Sequence, residues 1–221
     1  MPESRKDSVL LLFGLTFIGA TAWLAWSERA KLKEIAVDAL NNPLIATARA
    51  ELERRVREVG GTNRGTDVEK YQKTVGLRAG DPWCAAFVAW VVTAALGRER
   101  APAWCSGSAV TQWQRASKRL SPAHFALPHE THKVQPGWVW VRARNLEDAA
   151  LARKGQWTTG HTGLVEAVGS ADFRTIEGNT NSAGSREGDG VYGKTQRWDD
   201  GRTLGFFDPI ALTKAYETGN A

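Results

Sequence analysis

The stretch Asp81-Pro82-Trp83-Cys84-Ala85-Ala86-Phe87-Val88-Ala89-Trp90 constrains this chain more than any other. No charge follows Asp81 within it, and Trp83, Phe87, Trp90, Val91 and Ala94 recur at helical spacing. The spacing predicts a helix over Asp81–Leu96, buried along one side and closed by Gly97. Asp81 reads as its N-cap, since a carboxylate accepts the free N–H groups that open a helix. Pro82 suits the next position, where its missing N–H costs nothing. Cys84 then stands in the first turn, where unpaired amides and the helix dipole favour a thiolate. Taken alone, a cysteine in an apolar helix is more often a small packed hydrophobe than a nucleophile.

The remaining composition narrows the classes. With 221 residues the chain can hold one domain plus an appendage, and 42% hydrophobic with 24% charged residues is ordinary for a globular protein. Ten tryptophans supply core area and candidates for lining a cleft. A net charge of +5 suits a negatively charged partner, but no Lys/Arg-rich run stands out, so nucleic acid is not expected. Two cysteines, Cys84 and Cys105, without a CxxC, form neither a disulfide framework nor a zinc site. Cys105, in a Trp-Cys-Ser-Gly-Ser loop, reads as a small packed residue.

Residues 8–26 form a charge-free run close to the length that crosses a bilayer. Trp23 and Trp26 lie towards one end, as interfacial aromatics do. The expected organisation is a tail over 1–7, a transmembrane signal-anchor over 8–26, a helical linker over 27–43, a catalytic domain over 44–216 and a tail over 217–221. A removed signal peptide is one alternative, but the apolar run is long for one, and no clean small-x-small site precedes the polar segment; a buried core helix is the other, disfavoured because the run is apolar on all sides. Within the domain, helices are expected over 43–59, 67–75, 81–96 and 106–120. Strands follow near 138–141, 162–168, 173–177, 190–198 and 204–207, with a terminal helix opened by Asp208-Pro209. Helices followed by antiparallel strands make an α+β pattern. Residues 145–157 read as a polar insertion between strands.

A thiol nucleophile needs a base, and the base needs a third group to hold its ring. Of four histidines, His161 is best placed, between glycines at a strand start in Gly160-His161-Thr162-Gly163. Such a backbone lets another element approach closely. His124, His129 and His132 lie in a polar, proline-containing loop and read as solvated. The next strand ends Ile176-Glu177-Gly178-Asn179-Thr180-Asn181, putting a carboxylate and an amide two residues apart, on one face of a regular strand. Either can hold an imidazole in one tautomer.

Together these segments resemble the CHAP domains (cysteine, histidine-dependent amidohydrolases/peptidases) of the papain-like NlpC/P60 group. The segments are Gly80–Val88, Pro136-Gly137 before a strand, Gly160–Val165 and Ile176–Asn181, with Gly60–Gly65, Val68 and Tyr71 upstream. The resemblance covers roughly residues 45–210. It implies a papain-like α+β fold, N-terminal helices packed on an antiparallel sheet, with Cys84 as nucleophile and His161 as general base. Glu177 would orient His161, and Asn179 would assist it or polarise the site. The implied activity is hydrolysis of an amide bond in peptidoglycan, either between N-acetylmuramic acid and L-alanine or within the stem peptide or cross-bridge, in wall remodelling or phage lysis. Two departures stand out: Trp138 follows Pro136-Gly137 where many members have Asp, and the 145–157 insertion has no counterpart. Some relatives bind calcium before the nucleophile; Asn63, Asp67 and Glu69 are too few for that, so no metal or other cofactor is expected. The expected partners are the wall polymer, the membrane through residues 8–26, and phage or cell-envelope assembly proteins. The expected location is the cytoplasmic membrane, with the catalytic domain outside. Two other readings stay open at this point: a catalytically silent wall-binding module and a papain-like acyltransferase.

Overall fold

The computed structural model describes residues 42–181 and 188–219, all within the compact unit Ala39–Ala221. The expected tail and anchor over 1–26, and the linker as far as residue 41, lie outside the described residues. Among the described residues no helix is long and apolar enough to cross a membrane.

Asn42 opens the first helix, α1 (Pro43–Glu53): its side chain accepts the Leu44 N–H at 3.0 Å, and Pro43 follows with its φ already helical. After a loop come α2 (Thr66–Thr74), α3 (Cys84–Ala95) and α4 (Ala109–Arg119), the last capped by the Ser108 hydroxyl. Among the described residues, six strands form one antiparallel sheet: β1 (Phe125–Ala126), β2 (Val139–Ala143), β3 (Gly160–Val168), β4 (Asp172–Thr180), β5 (Gly190–Arg197) and β6 (Thr203–Phe207). Their order is β1-β6-β2-β3-β4-β5. The predicted polar insertion contains α5 (Leu146–Arg153), capped by Asn145, and α6 (Pro209–Glu217) starts at Asp208, whose carboxylate accepts two N–H groups. The α+β class expected from the sequence is therefore observed.

The sheet has two apolar faces. Val139, Val141, Leu164, Ile176, Leu204 and Phe207 join the helices in the larger core. Trp138, Trp140, Val165, Phe173 and Phe206 form a smaller cluster, in which Phe173 meets Trp140 and Phe206 edge-to-face. Alternation from Trp138, just before β2, through Val139, Trp140 and Val141 sends successive residues to opposite clusters, as strand geometry dictates.

Two expectations are corrected. Asp81 is not the N-cap of α3: its carboxylate accepts the Arg78 N–H at 2.8 Å and closes the preceding turn. The helix consequently starts three residues later, with Trp83 at the cap position and Cys84 as its first residue. The helix is also buried on nearly every side, since Ala85, Val88, Ala89 and Val92 are as inaccessible as Phe87 and Val91. It is enclosed by α1, α2, α4 and the sheet, so its sides all meet apolar partners.

Candidate active site

The start of α3 is held from three sides. The first helical hydrogen bond runs from the Phe87 N–H to the Trp83 carbonyl at 2.8 Å, so the N–H groups of Cys84, Ala85 and Ala86 precede the ladder. The Trp83 indole N–H donates to Glu58 Oε1 at 2.9 Å, and Gln72 Nε2 donates to the Asp81 carbonyl at 2.7 Å. Glu58 also accepts the Asn63 N–H, and its own N–H donates to the carbonyl of Asp189, just before β5. On the sheet side, a Cβ at Gly178 would lie 2.6 Å from the Trp83 ring and 2.7 Å from Phe87 Cβ. Only glycine lets β4 approach the first turn of α3 this closely.

His161 is the second residue of β3 and is buried. Its Nε2 lies 2.8 Å from Glu177 Oε2. The other carboxylate oxygen, Oε1, accepts from Thr175 Oγ1 at 2.5 Å and from Gln196 Nε2 at 2.6 Å. Both oxygens of this buried acid are thus engaged, which fixes the acid and, through it, the imidazole. The Trp140 ring meets the imidazole edge-on, with centroids 6.3 Å apart. Glu177 passes directly over Gly163, where a Cβ would lie 2.6 Å from Glu177 Cγ and 2.9 Å from the Ile176 carbonyl. The two glycines flanking the His161-Thr162 pair therefore do what a glycine in a strand usually does: at Gly160 the close neighbour is the Arg142 carbonyl.

His161 Nδ1 is buried and makes no hydrogen bond of conventional geometry. Cys84 is nonetheless close enough to act on the ring's proton affinity. Burial opposes charge on the imidazole, but Cys84 and then Glu177 outweigh it, and the pKa of His161 is pushed up to about 9. Burial likewise opposes ionisation of Glu177; its bonds from His161, Thr175 and Gln196 prevail and hold it below the usual carboxylate range. The arrangement can therefore carry an imidazolium between a thiol and a carboxylate near neutral pH.

Asn179 is not part of this chain of bonds. It has φ of +55°, and the β4–β5 register shifts between Glu177 and Thr180. Regular strand alignment of Glu177 with Asn179 is thereby lost, contrary to the sequence expectation. Asn179 is buried, and among the described residues its Oδ1 has no hydrogen-bond partner.

A cleft of about 300 Å³ opens beside Cys84, lined also by Leu77, Gly107, Trp157 and Gly160. The C-terminal end of the 145–157 insertion is thus part of its wall. His124 bonds Asp208 at 3.0 Å, and His129 and His132 are exposed, so none joins the site. Cys105 is half-buried, and burial pushes its thiol up to about 12. Among the described residues no cluster of His, Cys, Asp and Glu could hold a metal ion; Asp67 pairs with Arg54 and Lys70 instead.

Residues 76–179 match the family model of the CHAP domain. This stretch is a CHAP domain. The match is narrower than the resemblance read from the motifs, and it contains Cys84, His161, Glu177 and Asn179. CHAP domains are typically cysteine- and histidine-dependent amidohydrolases, and this one relates the chain to the amidases and peptidases of peptidoglycan. No curated protein and no solved structure matches the chain. Within the CHAP domain, sequence reasoning missed Thr175 and Trp140. Thr175 was findable, because it precedes Glu177 by two and so shares its strand face. Gln196 lies beyond the matched residues and depends on the β4–β5 register, which motif spacing does not carry.

Proposed function

We propose that this protein is a peptidoglycan hydrolase that cleaves an amide bond through a Cys84 acyl-enzyme. The observation that carries the reading is the buried His161, acted on by Cys84 and bonded at 2.8 Å to a triply bonded Glu177. The Cys84 thiolate attacks the amide carbonyl, forming the C–S bond. Backbone N–H groups of the first α3 turn, its own included, stabilise the oxyanion. Protonated His161 gives its proton to the leaving amine as the C–N bond breaks. It then takes a proton from water, which attacks the thioester and releases the acid and the thiol. Glu177 holds the ring through both steps. Asn179, whose amide oxygen is buried and unpaired among the described residues, is left to polarise the site or bind substrate.

The charge-free run at 8–26 supports a further part of the reading, a single membrane anchor with the CHAP domain outside the cytoplasmic membrane, where polymerised wall exists. Wall remodelling and phage lysis are both consistent roles.

The test incubates the detergent-purified full-length protein, and its Cys84→Ala variant, with purified peptidoglycan and identifies products by mass spectrometry. New amine termini from the wild type, absent with the variant, are expected, and they name the bond. Binding by both without cleavage would replace the reading with a silent wall-binding module. Transfer of the acyl group to an added amine rather than to water would make the protein an acyltransferase. A reporter fused after Ala221 that proved cytoplasmic would overturn the topology.

A further inference from the structure

The eight described tryptophans fall into two groups. Seven are buried or half-buried, whereas Trp157 is 72% exposed, more than Val59 or Leu146. A single exposed indole is ordinary by itself; what distinguishes Trp157 is its position. Trp157 lines the cleft that contains Cys84.

The backbone on either side of Trp157 is fastened. The Gln156 N–H donates to the Leu151 carbonyl at 3.1 Å, and the Gln156 carbonyl accepts from Gln114 Nε2 at 2.9 Å. On the other side, Thr158 Oγ1 donates to the Asp148 carbonyl at 3.3 Å, and the Thr159 carbonyl accepts the Arg144 N–H at 3.1 Å. The segment is therefore a fixed support for an open ring. A pre-positioned aromatic loses little conformational entropy when a ligand arrives.

We infer that Trp157 stacks against a sugar ring of the glycan strand and so places the scissile amide relative to Cys84. The inference rests on peptidoglycan being the substrate. Within that polymer the stem peptides consist of small and charged residues, which offer an indole no flat apolar surface. The pyranose rings offer one, the face on which axial C–H bonds align. Asp81 lines the same cleft and gives it a carboxylate, a group of the kind that accepts from hydroxyls and acetamido N–H groups.

The experiment uses the full-length Cys84→Ala protein, which cannot form the acyl-enzyme, and calorimetric titration with two probes: a muramyl disaccharide-peptide and the same stem peptide without sugars. Tighter binding of the disaccharide-peptide is expected. Adding Trp157→Ala weakens that binding roughly tenfold and brings it close to that of the bare peptide, and Trp157→Phe restores part of the difference. Equal affinity for the disaccharide-peptide with and without Trp157 overturns the inference, as does failure of both probes to bind. Hydrolysis of peptidoglycan by the wild type is scored separately. Cleavage without a Trp157 effect sinks only the stacking, whereas stacking without cleavage sinks only the hydrolase.

Discussion

The two cysteines of this chain sit 21 positions apart and occupy opposite chemical situations. Cys84 is the first residue of a buried helix and acts on an imidazole that Glu177 holds. Cys105 lies in a loop between helices, and burial drives its thiol up to about 12, so it stays protonated. Its carbonyl accepts from Arg115 at 2.9 Å, but no base faces its sulfur among the groups that act on it. Burial is common to both. The difference is that one thiol opens a helix beside a base with its own acceptor, and the other does not. Reactivity follows the neighbours rather than the residue type.

The strongest way to break this comparison is to remove each sulfur in turn. Cys84→Ala is expected to lower the rate of amide hydrolysis by at least ~10³-fold, while Cys105→Ala retains activity. Comparable losses in both would abolish the distinction. Glu177→Gln keeps the shape of the side chain but removes the negative charge that favours imidazolium. It is expected to reduce kcat/KM by about 10²-fold, with thermal melting showing that the fold persists.

The same pair predicts pH behaviour. Because the pKa of His161 is raised from 6.5 to about 9, the imidazolium persists through neutral pH and is lost above about 9. The alkaline limb of kcat/KM should fall near pH 9 in the wild type and move to lower pH in Glu177→Gln. A limb unchanged by that substitution would disconnect Glu177 from the base. Stability follows the same sign. A raised native pKa stabilises the fold fully below 6.5, and that contribution disappears as pH rises through about 9. Melting temperature should therefore decline across this window more steeply in the wild type than in Glu177→Gln.

Two smaller effects sharpen the comparison. Gly163→Ala forces a methyl to within 2.9 Å of the Ile176 carbonyl and against Glu177 Cγ, so a loss of about 1–3 kcal/mol in denaturant unfolding is expected. Activity should fall further than that loss alone explains, because the displaced carboxylate holds His161. Cys105→Ala touches no functional group and should cost only about 1 kcal/mol.

The parts of the site carried by local pattern were legible in the sequence. The glycine pair around His161 announced close backbone approach, and Glu177 followed at the end of the next strand. The helix boundary was not legible, because Asp81 had two competing uses and its carboxylate took the Arg78 N–H. Asn179 was misaligned because strand alternation was assumed to continue through a residue that adopts positive φ. Gln196 was invisible, since its role exists only through pairing between β4 and β5. Motif spacing reports what neighbours along the chain do; it is silent about what register brings together. The likeness of motifs identified the CHAP domain, while the bracing around it came from segments on both sides of the matched residues.

Glu58 has a consequence for how the molecule assembles. One residue reaches the helix start through Trp83 and the entrance to β5 through Asp189, and β5 in turn delivers Gln196 to Glu177. Parts separated by more than a hundred positions must therefore meet before any of them is in register. Contacts of such long sequence separation form late, after the costly closure of the intervening chain. A nascent chain that has emerged only through β4 already contains Cys84, His161 and Glu177, yet lacks the strand that steadies the acid. The acid that holds His161 is therefore fully bonded only once β5 has paired with β4.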